Sequence, residues 1–176
     1  MGQMVVLVDE EDNELGTEEK LKAHQDGGRL HRAISIFVFN RKGELMLQRR
    51  SKAKYHAKGL WANTCCSHPM PKESQILAAH RRLKEEMGFD CDMEEVFNFT
   101  YHADVGSGLT ENEYDHIIFG SYDGDPILNP KEVSEWKWVS LKRLREDIKK
   151  DPSKYVPWLV LMIDEVAKNF DSWSKK

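Results

Sequence analysis

One segment restricts the fold more than any other: Ser74 to Met87 places Ile76, Leu77, Ala79, Leu83 and Met87 near helical spacing, and Gly88 follows as a natural stop. The flanking segments carry a different period. Ala33 to Phe39 alternates β-branched and aromatic residues, Asn40-Arg41-Lys42-Gly43 makes a turn, and Glu44 to Gln48 continues as the second strand of a hairpin. Beyond the helix, Val96 to Tyr101, Tyr114 to Tyr122 and Trp136-Lys137-Trp138 read as strands. Met4 to Val8 is a short β-branched strand. Thr17-Glu18-Glu19 resembles a helix start, with acids near the positive end of the dipole, and that helix would run to about Gln25 and end at Gly27-Gly28. Leu141 to Lys149 and Tyr155 to Phe170 read as closing helices punctuated by Pro152 and Pro157. This order predicts an α/β fold, with mixed β-sheets sandwiched by helices.

No stretch has linker composition and no period repeats, so residues 1–176 are expected to form a single compact domain. That length buries roughly two thirds of the unfolded surface, and no staple is needed to fold it. With 26 Lys+Arg against 30 Asp+Glu, the net charge of −4 gives no global basic field for nucleic acid, so an anionic ligand needs a local basic patch. Cys65, Cys66 and Cys91 are odd in number and two are adjacent, which points away from a secreted disulfide framework and towards a reducing, cytoplasmic compartment. The run Met1 to Val8 has no basic flank and meets Asp9-Glu10-Glu11 at once, so it reads as neither signal peptide nor anchor, and no membrane is expected.

The chemistry-bearing residues lie in two places. Asn63-Thr64-Cys65-Cys66-Ser67-His68-Pro69 offers a thiol and an imidazole, and Glu111-Asn112-Glu113 offers two carboxylates. In an extended segment Glu111 and Glu113 point to one face about 7 Å apart, where they either bracket a cation or form a solvated strand edge; Asp115 shares that face. His24 and His31 flank Gly27-Gly28 and converge with His68 only through folding, while His56, His80, His102 and His116 carry no claim to a site. Three imidazoles and two carboxylates would suit a borderline ion such as Zn²⁺ or Mn²⁺. Cys65 reads as a small buried apolar residue.

Glu73, Arg81, Arg82, Leu83, Glu85, Glu86, Gly88 and Phe89 resemble the Nudix signature, a loop-helix-loop that holds metal-bound diphosphate. Ser67 stands where that signature has a glycine and Arg82 where it has a metal-binding glutamate, which argues against diphosphate hydrolysis. With the two runs above, these departures resemble the type I isopentenyl-diphosphate isomerases over nearly the whole chain. The resemblance implies metal ligands His24, His31, His68, Glu111 and Glu113, and catalytic residues Cys66 and Glu113 with Tyr101 beside them. It also implies Glu86 as the contact to a second ion, Mg²⁺, that arrives with the substrate. Lys20, Arg50, Lys54 and Arg82 would hold the diphosphate, although singly the first three read as solvated surface. Trp158 would lie over the reacting carbons, with Trp61 a weaker candidate. The implied activity is metal-dependent isomerisation of isopentenyl to dimethylallyl diphosphate by a monomer. Two other readings are a Nudix diphosphohydrolase and a non-catalytic binding module. The Gly27-Gly28 break suggests that the N-terminal segment closes over the ligand.

Overall fold

The computed structural model describes residues 2–54 and 56–175. Nine strands and four α-helices alternate: β1 (Met4–Val8), β2 (Glu14–Glu19), α1 (Lys20–Ala23), β3 (His31–Phe39), β4 (Glu44–Arg50), β5 (Trp61–Ala62), β6 (Cys65–Ser67), α2 (Gln75–Met87), β7 (Met93–Gly106), β8 (Leu109–Ser121), β9 (Val133–Ser140), α3 (Leu141–Lys150) and α4 (Pro157–Trp173). The sheet is mixed, as expected for an α/β sandwich. β3 lies parallel to β8 from His31↔Glu113 to Phe39↔Ser121 and antiparallel to β6 from Ile34↔Ser67 to Ile36↔Cys65. β7 and β8 form a long antiparallel hairpin.

Both faces of β3 are covered, which is why its sequence is apolar almost throughout. Ile34, Ile36 and Val38 pack with Ala79, Leu83 and Met87 of α2, whereas Phe37 and Phe39 pack with Leu159, Met162 and Val166 of α4. Side chains alternate across the sheet, so each one-residue step along β3 or its partners changes layer.

Three sequence expectations need correction. The helix expected from Thr17 is largely strand: Val5↔Glu18 and Val6↔Thr17 pair in the β1–β2 ladder, and α1 retains only four residues, capped where the Glu19 carboxylate accepts from Lys22 N. An available strand partner outweighs the local helix signal. The expected hairpin keeps its Asn40–Gly43 turn, but β3 and β4 pair only at Phe39↔Leu45; β4 then runs antiparallel to β9 from Glu44↔Ser140 to Arg50↔Val133. Leu77, expected on the apolar face of α2, is 63% exposed. The other marks of that helix hold: Ser74 Oγ accepts from Leu77 N, and Gly88 ends it at φ 73°, where a Cβ would collide with Ile127 O.

Candidate active site

The site begins where the apolar stripe of β8 turns acidic. Phe119, Ile117, Asp115, Glu113 and Glu111 share one face, the first two in the α4 core and the three carboxylates buried beyond it. Glu111 and Glu113 therefore point together, inward and not to a solvated edge. Register adds the neighbours: Glu113 lies beside His31 on β3 and opposite Tyr101 on β7, and Ser35 of β3 lies opposite Cys66 of β6. Cys65, one step along, faces Ile36 in the other layer and is fully buried, the apolar role expected of it.

His24, His31, His68 and Glu113 converge, with one ligand atom of each lying within 4.8 Å of the others. Nδ1 of His24 sits 2.7 Å from Lys20 O, and Nδ1 of His31 sits 2.7 Å from Arg29 O. A carbonyl only accepts, so each Nδ1 carries a proton and each Nε2 is the nitrogen turned inward. His31 Nε2 and His68 Nε2 are 3.1 Å apart, and His68 Nε2 is 2.9 Å from Glu113 Oε1. Burial and the nearby Lys20 charge push His68 down to about 3. Burial would raise Glu113, but His31 and His68 override it and hold the carboxyl well below the usual range. Three imidazoles, two of them with outer carbonyl partners, and an ionised carboxylate form a donor set that fits a divalent metal. The Gly27-Gly28 turn is already docked on β8, through Asn112 Nδ2 donating to Gly28 O (3.1 Å) and Thr110 N donating to His24 O (2.8 Å).

Glu111 lies outside that four-residue group. His56 Nε2 is 2.7 Å from its Oε1, and Tyr101 O–H lies 2.9 Å from its Oε2 and 2.6 Å from Glu113 Oε2. One phenolic proton cannot serve both carboxylates, so one carboxyl holds a proton. Burial and the adjacent Glu113 raise Glu111 and make it that group. His56, set aside in the sequence, is thus buried at the centre of the site, and burial beside Arg50 pushes it down to about 2.

Cys66 S–H donates to Asn63 Oδ1 (3.0 Å), and Trp158 Nε1–H reaches both Cys66 Sγ (3.2 Å) and Asn63 Oδ1 (3.1 Å). Asn63 Nδ2 is held by Ile36 O and Cys65 O. Burial, then Asp115, pushes the Cys66 thiol up, so it stays protonated. Arg50 stands 5.4 Å over the Trp158 ring and is buried, not solvated surface. Trp61 is elsewhere, beneath Lys137 Nζ at 4.2 Å. Cys66, His68, Tyr101, Glu111, Glu113 and Trp158 line one inner pocket of about 30 Å³, together with His56, Lys20, Arg50 and Lys54.

Lys20 and Lys54 also line an outer cleft of about 480 Å³, with Arg82, Lys131 and Glu132. Burial, then Lys54 and Arg82, lowers Lys20 to about 8. On α2, Arg82 pairs with Glu85, Glu86 and Glu132. Glu86 is buried and accepts from Gln48 Nε2 (3.0 Å), apart from the histidine group. Sequence reasoning missed His56, Asn63, Gln48 and Glu132; of these only Asn63 lay in a run already singled out.

The mixed sheet with the loop-helix-loop around α2 defines a Nudix domain, and the family profile described as NUDIX domain matches residues 29–159. Solved structures agree in fold: DR0079 from Deinococcus radiodurans (TM-score 0.78, 19% identity, 93% of this chain and 98% of that one) and a MutT protein from Methanosarcina mazei Go1 (0.65, 20%, 84% and 96%). Curated relatives are much nearer in sequence. Isopentenyl-diphosphate Delta-isomerase 2 of Aromatoleum aromaticum is 54% identical over 94% of this chain and 87% of its own, and isopentenyl-diphosphate Delta-isomerase 2 of Photorhabdus laumondii is 47% identical over 99% of both. The chain belongs to the isopentenyl-diphosphate Delta-isomerase family, a family of enzymes. Among the described residues, no helix is long and apolar enough to cross a membrane.

Proposed function

We propose that the protein interconverts isopentenyl and dimethylallyl diphosphate in the supply of isoprenoid precursors. The reaction adds a proton at the terminal alkene carbon and removes another two carbons away, through a tertiary carbocation. The observation that carries this reading is that the Cys66 thiol and the Glu113 carboxylate line the same pocket, which shares Lys20 and Lys54 with a basic cleft. The names of the curated relatives support the substrate.

An unactivated alkene is a weak base, so its proton donor must be strongly acidic where it acts. Glu113, ionised before substrate enters, becomes such a donor once the Glu111 proton reaches it through Tyr101, because its carboxyl is held well below the usual range. Tyr101, between Glu113 and the protonated Glu111, returns the proton through its hydroxyl. Cys66, once its thiol proton has left to solvent, takes the second proton as the thiolate from the other face of the substrate and returns to the thiol, its sulfur oriented by Asn63 and the Trp158 N–H. When bound, Zn²⁺ or Mn²⁺ among His24, His31, His68 and Glu113, with Glu111 adjacent, would polarise the carboxyl, and Mg²⁺ entering with the diphosphate would be held by Glu86. Lys20, Arg50, Lys54 and Arg82 anchor the diphosphate, whose binding energy positions the alkene. Trp158 favours the cation by roughly 2 kcal/mol in a dry site, about one and a half decades of rate. Its face is covered by Arg50 before substrate enters. A substrate that fills the inner pocket leaves no room there for water, which would otherwise capture the cation as an alcohol.

Three free thiols support a cytoplasmic setting. An NMR time course with isopentenyl diphosphate and Mg²⁺ in deuterated water tests the reading. Dimethylallyl signals with deuterium incorporation are expected; released phosphate without isomerisation would replace the isomerase by a hydrolase. Cys66→Ala and Glu113→Gln should each lower turnover by at least about 10³-fold, near the upper range of acid–base contributions. Full activity in either variant would refute the assigned roles.

A further inference from the structure

The outer cleft holds a carboxylate that the proposed reaction does not use. Glu132 directly precedes β9; its carbonyl accepts from Ser51 N at 2.9 Å, and its neighbour Val133 pairs with Arg50. Its main chain is therefore tied to the strand end that leads to Lys54, and only its side chain is free to swing. That side chain, 24% exposed, accepts from Lys54 Nζ through Oε2, while Oε1 lies 3.3 Å from Arg82 Nη2. Burial opposes its ionisation, yet Lys54 and Arg82 hold the carboxyl below its ordinary range, so it is a full counter-charge at neutral pH.

Diphosphate and carboxylate oxygens compete for the same cationic donors. We propose that Glu132 is an internal competitor for the diphosphate: it occupies Lys54 and Arg82 in the empty cleft, yields them to the entering anion and reclaims them as product leaves. The identity of that anion rests on the proposed function. Substrate and product of that reaction carry the same diphosphate, so attraction to it is uniform and does not raise the chemical rate. A tethered counter-charge limits how long product is held while leaving the alkene end of the pocket unchanged. Glu132 is thus a positioning residue, acting through Lys54 and Arg82.

Calorimetric titration with inorganic diphosphate tests this directly. Glu132→Gln, which keeps the volume and removes the charge, should lower the Kd about tenfold, at the modest end of close charge-pair couplings. In a Lys54→Met background the same substitution should gain less than about twofold, because one of the contested cations is gone. Unchanged or weaker binding in Glu132→Gln overturns the proposal, as does an equal gain in both backgrounds, which would reduce Glu132 to part of a general field. Should Glu132→Gln fail to fold, Glu132→Asp keeps the charge, shortens the reach and should give a smaller tightening; no tightening overturns the idea. Failure of the unaltered protein to isomerise isopentenyl diphosphate, with diphosphate binding still tightened by Glu132→Gln, would remove the proposed function and leave the competitor standing.

Discussion

At the scale of single residues, Asn63 and Lys20 show how neighbours set a side chain's chemistry. Asn63 Oδ1 accepts from both the Cys66 thiol and the Trp158 indole. Asn63→Ala leaves two buried donors competing for fewer acceptors, at a cost of about 2 kcal/mol in stability. It also frees the sulfur to move, which should lower kcat about 100-fold; steady-state kinetics beside a thermal melt measure both, and an unchanged kcat would remove Asn63 from the sulfur's support. Lys20, lowered to about 8, is charged below that pH and neutral above it. Its attraction for an anion is therefore present at pH 7 and fades as pH rises through 8. The Kd for inorganic diphosphate should rise from pH 7 to pH 9, with a flatter profile in Lys20→Met; identical profiles would exclude Lys20 from the anion site. The shared face of Glu111 and Glu113 was legible because two-residue spacing on a strand fixes direction. His56 was not: a lone imidazole has no pattern around it, and only the fold of the segment after β4 brings it to Glu111.

At the scale of elements, α2 was legible because its spacing, its capping serine and its left-handed Gly88 all mark the same boundaries. β2 was not, because Thr17-Glu18-Glu19 satisfies local helix rules and is overruled by β1, a partner that local rules do not contain. The β3–β4 turn was legible and its ladder was not, since each strand finds a longer pairing elsewhere. Leu77 and Leu83 separate spacing from burial. Leu83→Ala should cost about 3 kcal/mol, and Leu77→Glu should stay within about 0.5 kcal/mol, both read from denaturant melts. Equal costs would mean that the two side chains are not placed as described.

At the scale of the whole molecule, the histidine group joins the end of α1, the start of β3, the residue after β6 and the middle of β8. A ligand that binds only the folded state stabilises it by about 2.7 kcal/mol at one hundred times its Kd. For a chain of this size, that corresponds to a rise of roughly 5–10 °C in Tm. Scanning with Zn²⁺ or Mn²⁺ and then with a chelator should show this rise and its reversal, and His31→Ala should abolish both. An intact protein whose melting ignores both ions would sink the ligand assignment. Positions 24 and 31 are near neighbours along the chain, but 68 and 113 are distant from them and from each other, and the four meet only after the ladders from β3 to β6 and from β3 to β8 have closed in register. The group therefore works as a checksum on assembly: a chain mispaired along that route does not bring the four ligand atoms together, so only a correctly threaded molecule can offer the complete set to an ion.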